Sequence, residues 1–131
     1  MKLWTLMSLL ILSVTCSLVL GQGPADLRAF MHAKLKHSER VLEGLVLNDL
    51  PQVAKGAESM KALSLDASWQ VLQTPKYVEL SSKFRADADA LATAARDQNL
   101  DKATKTYNQV VLRCVECHKY VRDVQMARAG N

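Results

Sequence analysis

At 131 residues, 49% of them apolar and only 5% aromatic, the chain has room for one small core, which excludes two independently folded domains. Its 17 basic and 13 acidic residues give a net charge of +4, but the charges are scattered. No run reaches the density of a nucleic-acid or heparin patch, so the excess reads as ordinary solubility with a modest bias toward acidic partners.

The N-terminus is a different material from the rest. Lys2 is followed by an uncharged run from Leu3 to Leu20 rich in Leu, Val, Ile, Ser and Thr, the profile of a secretory signal peptide. Val19 and Gly21 occupy the minus-three and minus-one positions of a cut before Gln22, so residues 1–21 read as signal and 22–131 as the mature domain. The competing reading is an uncleaved membrane anchor, because the run approaches the roughly 20 residues that span a bilayer. Cleavage is favoured. Cys16 follows Ser13, Val14 and Thr15, a poor lipoprotein box, and reads as a small apolar residue of the signal.

Beyond Gly23 and Pro24, Asp26 is the expected N-cap of a first helix running to about Leu47. Its inner stripe is expected at Leu27, Met31, Leu35, Ser38, Leu42 and Leu45. Asn48 and Asp49 break the pattern, and Pro51 suits the first turn of a second helix. That helix has Val53, Ala57, Met60 and Ser64 or Leu63 inside and fades near Leu65. From Asp66 to Pro75 periodicity is poor, and Trp69 reads as an anchor for this longest connection. A third helix from Pro75 carries Tyr77, Leu80, Phe84, Ala88, Leu91 and Ala95 on one stripe and stops at Asp97 to Asn99. The fourth is expected to be capped by Asp101, with Ala103 or Thr104, Tyr107, Val110, Val111, Cys114, His118 and Val121 inward before Gly130. Nothing beyond Gln22 alternates with period two over a useful length. The expected fold is all-α, an antiparallel up-and-down four-helix bundle.

Removal of the signal would leave Cys114 and Cys117 as the only cysteines, too few for a disulfide framework. They stand in Cys114-Val115-Glu116-Cys117-His118, the C-x-x-C-H signature for covalent attachment of haem. Two thiols three residues apart share one helix face and each can form a thioether to the haem edge, while the adjacent histidine offers a ring nitrogen to iron. A zinc site wants four ligands, and only His32 and His37 are left to add. A thioredoxin-like pair would open a helix after a strand rather than sit deep in a final helix.

This motif near the C-terminus, in the last of four helices, resembles the class II c-type cytochromes, the cytochrome c′ group. The resemblance covers residues 22–131 in architecture, and the specific part is Cys114 to His118. The opening Ala25-Asp26-Leu27 followed by Met31 is similar to that of the periplasmic four-helix b-type cytochrome, whose helix A methionine ligates iron. The resemblances imply one covalent haem c on Cys114 and Cys117, His118 as axial iron ligand, and Met31 as the sixth ligand, a place its position on the inner stripe also favours. They imply further that Arg28 reaches a haem propionate and that two copies pair through the first two helices. With Met31 not bound, Phe30 and Leu27 become the distal wall. Tyr107 and Phe84 are expected beside the porphyrin, His32 on the surface, Lys34 as an outside candidate for iron, and Glu116 and Lys119 facing water.

The expected function is one-electron transfer by a periplasmic monohaem cytochrome with redox proteins as partners, since a thioether ligand closes the iron and raises its potential. The alternative is a five-coordinate protein that binds nitric oxide or carbon monoxide. No triad or activated nucleophile is evident, so enzyme activity is not expected.

Overall fold

The computed structural model describes residues 24–130, with side chains from Leu27 onward. The expected signal segment and the cut before Gln22 lie outside these residues. Four α-helices follow in order: α1 Pro24–Leu47, α2 Leu50–Leu63, α3 Pro75–Arg96 and α4 Leu100–Ala129, with a 3₁₀ turn at Ala67–Trp69 between α2 and α3. Among the described residues there is no strand, and no helix is long and apolar enough to cross a membrane. The all-α four-helix bundle expected from periodicity is the fold found.

The two short joints share one construction. At the end of α1, Asp49 N–H donates to the Gly44 carbonyl at 2.7 Å and Asn48 N–H to that of Leu45 at 3.3 Å. At the end of α3, Asn99 N–H reaches the Ala94 carbonyl at 3.0 Å and Gln98 N–H that of Ala95 at 3.1 Å. Asn48 and Gln98 both take φ 56°, the left-handed turn that lets these paired bonds close a helix C-terminus. The next residue then starts the following helix: the Asp49 carboxylate accepts from Gln52 N–H at 3.0 Å, and the Asn99 side chain from Lys102 N–H at 2.9 Å. Asn99, not Asp101, is therefore the cap of α4; Asp101 lies in its first turn. Likewise α1 already includes Pro24, which puts Asp26 inside the helix rather than before it. Thr74 caps α3 through its hydroxyl, 3.2 Å from Tyr77 N–H.

Each helix packs chiefly on its neighbour in sequence, α1 on α2, α2 on α3 and α3 on α4, whereas α1 and α4 meet only sparingly. Val41, Val53, Ala57, Met60, Tyr77, Leu91 and Val110 form the fully enclosed centre, and the alanines of α3 let its neighbours approach closely. The stripes expected for α2 and α3 are buried as read. On α1 the phase differs. Leu35 and Leu42 are exposed, while Lys34, Val41, Gly44 and Leu45 are buried. The burial of α1 is set by contact with α2, where Gly44 admits Val53 and Gly56 admits Val41. That contact rotates the stripe by one residue from the run of leucines. On α4, Val111 and His118 are exposed and Cys117 takes a half-buried place beside Cys114.

Candidate functional site

Where α1 and α4 fail to close on one another, a cleft of about 210 Å³ remains, open on one side. Leu27, Met31 and Lys34 line it from α1, Trp69 and Val71 from the α2–α3 connection, and Tyr77 from α3. Cys117, His118, Val121 and Arg122 line it from α4. The connection is pinned there by its own hydrogen bonds. The Trp69 indole N–H donates to Ser81 Oγ at 2.8 Å, the Tyr77 hydroxyl donates to the Trp69 carbonyl, and the Thr74 and Tyr120 hydroxyls are 2.6 Å apart. Trp69 is thus both the loop anchor expected from sequence and a wall of the cleft.

The motif lies on regular helix and its approach is braced. Arg113, just before Cys114, donates to Asp87 of α3 at 2.8 Å and to Glu116 at 2.9 Å. These carboxylates raise its pKa further, so the guanidinium stays charged. Glu116, expected to face water, is half-buried in this pair, while Lys119 is exposed as expected. Cys114 and Cys117 are free, half-buried thiols. Cys114 packs on the core and Cys117 enters the cleft; burial pushes the Cys117 thiol above its usual range, opposed by the charge of Lys34. His118 sits at the rim. Burial of part of its ring, then Lys34 and Arg122, lower its pKa and favour the neutral imidazole, the form with a nitrogen lone pair to give.

The other expected site residues are dispersed. Met31 lines the cleft across from His118, half-buried among core residues. Tyr107 does not line the cleft; its hydroxyl lies 3.0 Å from Ser38 Oγ and donates to the Ser38 carbonyl at 3.1 Å, tying α4 to α1 elsewhere. Phe84 stacks against Trp69 with ring centroids 5.2 Å apart, one layer behind the wall, and Phe30 meets Trp69 edge-on. Arg28 and His32 are exposed and outside the cleft. Arg122, not Arg28, brings a guanidinium to the cleft, and its spacing of four from His118 on one helix face is the signal that would have found it.

These residues fit a haem in kind. The walls are mainly apolar, two thiols and an imidazole stand on one side, and a guanidinium waits at the rim for an anionic edge. Among the described residues no three His, Cys, Asp or Glu side chains converge on one point; haem attachment instead spreads its bonds over the ring edge and the central iron. The volume is below the ~300 Å³ lower end of small-molecule sites. A macrocycle held there would therefore keep an edge in solvent and take its room from the sparse α1–α4 seam. No protein-family model, curated protein or solved structure matches this chain.

Proposed function

We propose that this protein is an exported monohaem c-type cytochrome that carries single electrons between redox proteins of the periplasm. The observation that carries the reading is the sequence Cys114-x-x-Cys117-His118 on a long helix, with Cys117 and His118 opening onto an apolar cleft. Cys114 and Cys117 would hold the haem by thioethers, His118 would offer its ring nitrogen to the iron, and Arg122 would meet the anionic edge. The bound haem supplies a one-electron iron couple. Trp69, Tyr77 and Val121 present apolar surface to the ring face. Met31 and Lys34, one turn apart on the opposite wall, are the two side chains there with a lone pair for iron. The apolar run from Leu3 to Leu20 supports export, and the exposed row Leu35, Leu42 and Val46 on α1 supports pairing with a second copy.

One feature favours the gas-binding alternative, the open side of the cleft between α1 and α4. Co-expression with a haem-maturation system, followed by intact mass and visible spectra with and without carbon monoxide, decides. A chain heavier by one haem, with sharp reduced bands that carbon monoxide leaves in place, is expected. Cys114→Ala/Cys117→Ala should lose the added mass. A high-spin spectrum shifted by carbon monoxide would move the function to gas binding, and a chain with no haem adduct would overturn both readings.

A further inference from the structure

Lys34 is placed as no other lysine of the described chain. Its residue is only 7% exposed, on the face of α1 that meets the cleft. No carboxylate pairs with it and no hydrogen-bond acceptor meets it among the described residues. Its Nζ rests instead 4.3 Å from the Trp69 ring centroid and 4.2 Å from that of Phe84. Both ring faces attract the cation. The stem is buried while the amine keeps a little solvent at the open cleft, so the nitrogen stays within reach of whatever the cleft holds.

Its neighbours point to the missing partner. Lys34 lines the same cleft as Cys117 and His118, from the opposite wall. It lies one turn beyond Met31 on the same wall, with the longer and more deeply buried side chain. Resting on the haem reading above, we infer that the Lys34 amine, rather than the Met31 thioether, is the sixth ligand opposite His118. The neutral amine gives its lone pair to iron and releases its proton to solvent, with no change of oxidation state.

The test is the oxidised holoprotein grown with ¹⁵N-lysine, examined by pulsed electron paramagnetic resonance, a readout that needs no variant. A lysine ¹⁵N hyperfine coupling to low-spin iron is expected, with no sulfur-to-iron charge-transfer band. Met31→Ala should keep that spectrum, whereas Lys34→Ala should turn high-spin and gain carbon monoxide binding when reduced. A sulfur-to-iron band lost in Met31→Ala, or bound haem without lysine coupling, would overturn the Lys34 assignment alone. A chain carrying no haem mass would overturn the haem reading and this assignment with it.

Discussion

The indole nitrogen of Trp69 donates a 2.8 Å hydrogen bond to Ser81 Oγ inside the core, tying the α2–α3 connection to α3 at the wall of the cleft. Both residues are buried, so neither group has water as a substitute. Ser81→Ala leaves the indole N–H without a partner and should cost about 1–3 kcal/mol. A lower urea midpoint at unchanged slope would show it.

Tyr107 and Ser38 are one of the few links across the α1–α4 seam. Tyr107→Phe keeps the ring and removes the link, at an expected loss of about 1 kcal/mol. Because Tyr107 lies outside the cleft, the proposed haem would keep its absorption in this variant. A shifted spectrum in this variant would place the ring beside the porphyrin after all.

Alanine usually improves a helix over glycine by ~1 kcal/mol. At Gly44 the sign should reverse, since a Cβ there would stand 2.9 Å from both the Asp49 carbonyl oxygen and Val53 Cγ2. The carbonyl belongs to the joint backbone and cannot step aside. Thermal unfolding of Gly44→Ala should show a net loss of about 1–3 kcal/mol.

The matching joint at Gln98 carries the opposite expectation. Its φ of 56° suits glycine, is tolerated by asparagine as at Asn48, and strains glutamine. Gln98→Gly should stabilise the protein by roughly 1 kcal/mol, visible as a raised melting temperature, while Asn48→Gly should change little.

Burial, and then the neighbouring Cys117, push the Tyr77 hydroxyl up from 10.0 to about 12. The folded protein therefore holds this proton over a range in which the unfolded chain has released it. The contribution is fully present below pH 10 and lost as pH rises through about 12. Urea midpoints measured across this window should fall less steeply in Tyr77→Phe than in the parent.

How much of this was readable from sequence depends on which force set each feature. The helices of α2 and α3 were legible because one apolar stripe on each has no rival: Tyr77, Leu80, Phe84, Ala88 and Leu91 admit a single phase. On α1 two phases compete. Leu35 and Leu42 belong to the more apolar one, yet the small Gly44 and the β-branched Val41 make the tighter contact with α2 and decide the rotation. That rotation buries Lys34, which hydropathy alone sends to the surface. The wall formed by Trp69 and Val71 comes from a connection without periodicity, so only its hydrogen bonds to α3 place it. Cys114, Cys117 and His118 were recognisable as a motif, but their division between core, cleft and rim depends on how α4 sits on α3.

The succession of contacts along the bundle also bears on how the chain acquires its shape. With each helix resting mainly on the one before it, and two of the three connections closed by joints of two and three residues, most native contacts are local in sequence, the condition for folding in microseconds to milliseconds. The seam between first and last helix pairs the most distant parts of the chain and so gains least from that locality. That seam is therefore the part of the bundle whose formation owes most to loop closure and least to neighbours in sequence.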